Sequence, residues 1–144
     1  MMKKMCVITA VAAQLFALPV FAAGDQDGRQ KVELPEMMKQ HMLGNMRDHL
    51  TAIHEIQVAL AKGEFDKAGD IAEERIGMSS LASHNAAHMA PYMPKGMQDI
   101  GTAMHHAASR FAMTAREGDA LKAMESLSKV TEQCIACHAA YRLN

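Results

Sequence analysis

The 144-residue chain has no tryptophan, two tyrosines and four phenylalanines, so it lacks the aromatic platforms on which single-stranded nucleic acids stack. Its formal net charge is −1, with 15 Lys and Arg against 16 Asp and Glu, and no basic stripe gathers anywhere. Nucleic-acid binding therefore has no support. β-Branched residues never collect into alternating runs, which argues against a strand-built domain. No Ser-His-Asp set, carboxylate pair or phosphate-cradling loop is legible, and no enzyme is expected. Cysteine is scarce too: Cys6, Cys134 and Cys137 are all there are. Against these absences stand 14 methionines and eight histidines in an alanine-rich, helical composition.

The chain begins Met1-Met2-Lys3-Lys4, and an apolar run from Val7 to Phe21 follows, broken by Thr9 and Gln14. That run is short for a membrane span, and Val20-Phe21-Ala22-Ala23 supplies small residues where signal peptidase cuts. Residues 1–22 are read as a cleaved signal peptide that carries Cys6 away with it. Export to the periplasm of a bacterium, with no membrane attachment after cleavage, is the expectation. Residues 23–33 read as a flexible linker and 34–144 as one domain.

Punctuation divides that domain into four helices. The first runs from about Leu34 to Lys62, with Pro35 in its opening turn and Met38, Met42, Met46, Leu50, Ile53, Ile56 and Leu60 at helical spacing. Gly63 ends it, and Asp66 stands close to the start of a second, which reaches about His88 with a kink near Gly77. Pro91-Tyr92-Met93-Pro94 must be a connection. The third spans about Lys95 to Arg116, with Met97, Ile100, Met104, Ala108 and Phe111 inward. Gly118-Asp119 precedes the fourth, where Leu121, Met124, Leu127, Thr131, Cys134, His138 and Tyr141 share a face. Short loops make neighbours antiparallel. The expected fold is all-α, an antiparallel up-down-up-down four-helix bundle.

Near the C-terminus the chain reads Cys134-Ile135-Ala136-Cys137-His138, with six residues following. Cys-x-x-Cys-His is the attachment sequence of c-type haem: two thiols at this spacing reach the two vinyl groups of one porphyrin, and the next imidazole binds iron axially. A redox dithiol would sit better at a helix N-terminus, where the dipole stabilises a thiolate; here it works against one. A structural zinc site would need ligands from a second cysteine pair that the chain lacks. One covalent haem c and its iron are the expected cofactor.

The signal peptide, the four helices and the run Cys134-Ile135-Ala136-Cys137-His138-Ala139-Ala140-Tyr141-Arg142 resemble the class II cytochromes c, the cytochrome c′ group and its low-spin relatives. The turn Lys62-Gly63-Glu64-Phe65-Asp66 is similar to the family's Lys-Gly-x-x-x-Tyr-Asp turn shortened by two residues, and the third helix lacks the tryptophan common there in the group. The resemblance implies that the first helix crosses the distal side of the haem. A methionine there gives six-coordinate iron suited to electron transfer, and an aliphatic residue leaves an open site that binds nitric oxide or carbon monoxide. Counting back from Gly63 lands on Met46 as the distal ligand, with Met42 and His49 as alternatives beside an open site. Met38 and Met42 also suit plain core filling. Arg142 resembles the family's proximal arginine, which screens the haem propionates or the axial imidazole.

An electron carrier docking weakly and transiently to redox proteins is the first functional expectation, and a homodimer is compatible with the family. The gas-binding protein is the second. A third is a His- and Met-rich metal-handling protein, with His41 beside Met37, Met38 and Met42 suited to Cu(I). His84 and His88, at i and i+4, and the doublet His105-His106 are further metal pairs to consider, although interhelical or surface histidines are the plainer reading.

Overall fold

The computed structural model describes residues 27–144, so the signal peptide expected over 1–22 lies outside the described residues. The chain is mostly helical: β1 (Gln30–Val32), α1 (Glu36–Ala61), α2 (Phe65–Arg75), α3 (Ala86–Met89), α4 (Lys95–Ala115), α5 (Ala120–Ala140) and β2 (Tyr141–Leu143), with single 3₁₀ turns at Met78–Ser80 and Ala90–Tyr92. Among the described residues no helix is long and apolar enough to cross a membrane.

Local chemistry sets the boundaries of the long helices. Pro35 precedes α1, and the carboxylate of Glu36 in its first turn accepts from Gln40 at 2.7 Å. At the other end Gly63 adopts φ +72°, a left-handed conformation that costs glycine nothing. There the Gly63 N–H donates to the Leu60 carbonyl and the Glu64 N–H to that of Ala59, a Schellman ending that satisfies two carbonyls the helix would leave bare. Between α4 and α5 the Asp119 side chain accepts from the N–H groups of Leu121 and Lys122 and so caps α5.

The second helix is shorter than its sequence suggests, ending at Arg75 instead of near His88. Gly77 turns the chain back so closely that a Cβ there would stand 2.5 Å from a Glu73 carboxylate oxygen. The serines that follow then bond their own backbone, Ser80 Oγ to the Gly77 carbonyl and Ser83 Oγ to that of Ser80, which competes with helical pairing. Asn85 at φ 55° breaks the chain again before α3.

The helices pack as α1 on α2, α2 on α4 and α4 on α5, while α1 and α5 stand apart. Small residues close the first three contacts: Ala52 and Ala59 on α1, Ala68 and Ala72 on α2, Ala107, Ala108 and Ala112 on α4, and Ala123 on α5 are all buried around Phe111, Ile56 and Ile76. Gly69 lies so near α4 that a Cβ would come within 2.8 Å of the Ala112 carbonyl oxygen. Arg75 of α2 bridges Asp48 and Glu55 of α1, and Arg116 reaches Asp70 at 2.6 Å.

This alanine packing corrects part of the expected core. Leu50, Leu121 and Met124, placed on inward stripes by spacing, are exposed. The buried face of α5 is Ala123, Leu127 and Val130, because close approach selects the small side chains and turns the larger ones outward. Residues 30–32, read as linker, form β1 in parallel pairing with β2, matching Gln30 to Tyr141 and Val32 to Leu143, so Tyr141 leaves the helix.

Candidate functional site

The gap between α1 and α5 is a cavity of about 610 Å³, roofed by the segment from Leu81 to Met93 and floored by α4. Its wall is overwhelmingly apolar. Six methionines line it, Met42, Met46, Met89, Met93, Met97 and Met104, and their unbranched thioethers fill irregular space without fixing it. Met42, Met89 and Met97 also belong to a second buried cluster with Val32 and Leu34, against which Cys137, Tyr141 and Leu143 pack.

Cys134, Cys137 and His138 all open onto this cavity from the last turns of α5, because i, i+3 and i+4 share one helical face. Both cysteines are free thiols and half-buried. Burial raises both thiol pKa values, and the Cys134 thiol donates weakly to the Val130 carbonyl. They are protonated at neutral pH, so a thiolate nucleophile is not what this site holds. The end of the helix that carries them is tied down from outside: Arg29 donates to the His138 carbonyl at 3.3 Å, and Asn144 closes the strand pair on Val32.

On the opposite wall α1 presents all three distal candidates, Met42, Met46 and His49, to the same cavity. They differ in surroundings. Met42 is buried in the second cluster, whereas Met46 is 37% exposed and stands outside both clusters. His49 is buried, and neither of its ring nitrogens has a hydrogen-bond partner. Arg142 lies elsewhere, in β2, with its Nε 3.5 Å from Asp27, and is not among the lining residues. His41 likewise does not line the cavity, and Met37 beside it points to solvent, 83% exposed.

The histidine pairs suggested by spacing separate. His84 is buried but His88 is exposed, since the chain between them is not a continuous helix; His105 is buried and His106, about 100° round α4, is exposed. What the fold assembles instead is His49, His84 and His105, from three different segments. Ring centroids are 4.8 Å apart for His49 and His84, 5.4 Å for His84 and His105, and 6.3 Å for His49 and His105. Burial, with the neighbouring imidazoles adding to it, pushes His49 down to about 4. His84 and His105 are lowered chiefly by burial as well, so all three rings are neutral at pH 7. The only advance signal of the cluster was a histidine on an apolar helix face, at His49 and again at His105.

Set against known proteins, the chain matches no family model, no curated protein and no solved structure, so the reading of this cavity rests on its own residues.

Proposed function

We propose that the chain is a periplasmic mono-haem c-type cytochrome that carries single electrons, built as an antiparallel up-down-up-down four-helix bundle of the class II cytochrome c type from α1, α2, α4 and α5. The observation that carries this is the opening of Cys134, Cys137 and His138 together onto one apolar cavity whose far wall offers soft and imidazole donors. The residues fit the group: free protonated thiols at the attachment spacing, a methionine lining, and a volume in the range of pockets that enclose most of a large ligand.

Haem bound here supplies a one-electron couple at iron. The rest is the work of this chain. Cys134 and Cys137 would hold the group by thioether bonds, and His138 would bind its iron. Met46 is the proposed distal ligand: Met42 is engaged in packing with Met89 and Met97, whereas Met46 faces the cavity uncommitted. A thioether opposite an imidazole favours the reduced metal and raises the potential relative to two imidazoles. Redox partners dock weakly and transiently.

The partial exposure of Met46 favours a second reading, an open distal site that binds nitric oxide or carbon monoxide. One experiment separates the two. Protein made with c-type maturation machinery retains haem through acid-acetone extraction, and Cys134→Ala/Cys137→Ala releases it. The ferric spectrum shows a weak band near roughly 695 nm, the mark of thioether ligation, and Met46→Ala converts it to a high-spin form that binds carbon monoxide. Haem extracted equally from both proteins rejects the attachment. A wild-type spectrum already high-spin selects the gas-binding reading.

A further inference from the structure

The geometry points to a second metal site, formed by His49, His84 and His105, that takes one divalent transition ion of borderline softness such as Zn(II). The site uses no residue of the Cys134-Cys137-His138 motif, although its three histidines line the same cavity.

The first support is the state of the ring nitrogens. Ser80 Oγ donates its proton to the Gly77 carbonyl at 2.7 Å, so towards His84 it accepts, and His84 Nδ1 carries the proton across 3.2 Å. His105 Nδ1 donates to the Ile76 carbonyl. With the proton on Nδ1, the Nε2 of each ring is left with its lone pair, and the Arg75 backbone is a further hydrogen-bond partner of the His84 ring. A carbonyl or hydroxyl behind Nδ1 is the arrangement that orients metal-bound histidines. His49 has no partner at either nitrogen and is 6% exposed, a burial that leaves two polar atoms unsatisfied unless something binds them.

The second support is spacing. Imidazole nitrogens bind zinc at about 2.0–2.1 Å, which puts centroids about 5 Å apart around a tetrahedral ion. The 4.8 Å and 5.4 Å separations suit this, and the 6.3 Å between His49 and His105 is too wide. Among the described residues no three such side chains already surround a common metal point. The ring that must turn is His49, the one with no hydrogen bond to break. All three residues line the cavity. Their neutrality at pH 7 suits them as ligands.

The test is zinc binding to the haem-loaded, chelator-treated protein. One zinc per chain should survive gel filtration beside the haem iron. His49→Gln and His84→Gln should each weaken zinc binding at least tenfold, and Ser80→Ala, which removes only the partner of His84, by roughly tenfold. His88→Gln and His106→Gln should leave it unchanged. X-ray absorption at the zinc edge of the unmodified protein keeps the test sound if a variant misfolds: three imidazoles are expected, and fewer than two overturn the proposal. Absence of retained zinc, or loss by His88→Gln or His106→Gln, overturns it as well. So does a haem spectrum altered by His49→Gln in a protein that retains no zinc, which would place His49 on the haem iron. Haem counted in the same samples shows whether the cytochrome reading fails independently.

Discussion

The same helices are packed in two ways along their length. Where α1, α2, α4 and α5 meet around Phe111, the buried side chains are alanines with a few branched residues, and the backbones approach until Gly69 nearly touches α4. Towards Cys134, Cys137 and His138 the filling is methionine, and a cavity of about 610 Å³ stands between α1 and α5. Small rigid side chains make a contact that admits nothing, whereas long flexible ones make a wall that conforms to an occupant. The difference teaches that packing is divided along the helices: one region fixes them against each other, and the other leaves space between them.

The comparison breaks most visibly at Phe111. Phe111→Ala should cost about 3–5 kcal/mol in denaturant unfolding, since its fully buried ring is surrounded by alanines too short to fill the space. Next comes acid. A His49 held near 4 in the folded chain takes up its proton far later than an unfolded histidine near 6.5, so the unfolded state binds more protons between those values and stability falls as pH drops through that window. The loss attributable to His49 is at most about 3 kcal/mol, and His49→Gln should flatten the pH dependence of the unfolding midpoint. Met42→Ala should cost about 2 kcal/mol, the low end for such a truncation, because Met89 and Met97 can relax into the gap. A loss equal to that of Phe111→Ala would erase the distinction between the two regions. Smallest is Asp119→Ala, which removes the cap of α5 and should lower stability by about 1 kcal/mol without altering the cavity.

How much was legible divides along the same line. Pro35, Gly63, Lys95 and the Gly118-Asp119 pair set helix ends close to where they fall, because capping is local and is written in adjacent residues. Cys134, Cys137 and His138 fall on one helical face for the same reason. The break near Gly77 and the connection over residues 91–94 were legible, but the stretch between them was not: serine hydroxyls and a left-handed Asn85 overrode a helical reading through contacts that periodicity does not count. The buried face was legible on α4, where Met97, Met104, Ala108 and Phe111 are buried as their spacing predicts. It was less so on α1 and α5, since hydrophobic spacing favours Leu50 and Leu121, whereas close packing favours Ala52 and Ala123. The three-histidine cluster joins residues far apart in the chain, and no spacing rule reaches across three segments.

The pairing of β1 with β2 has a consequence in time. Arg29 meets the His138 carbonyl across 109 residues of chain, and the strands beside them join the two ends of the described chain. Closing so long a loop is entropically late, and contacts of this range form after local ones. A chain made from its N-terminus cannot form the clasp until Tyr141 to Leu143 have been added, whereas the alanine-packed region needs none of them. Assembly therefore has an order, with the helix contacts forming first and the strand pair beside Cys137 and His138 last.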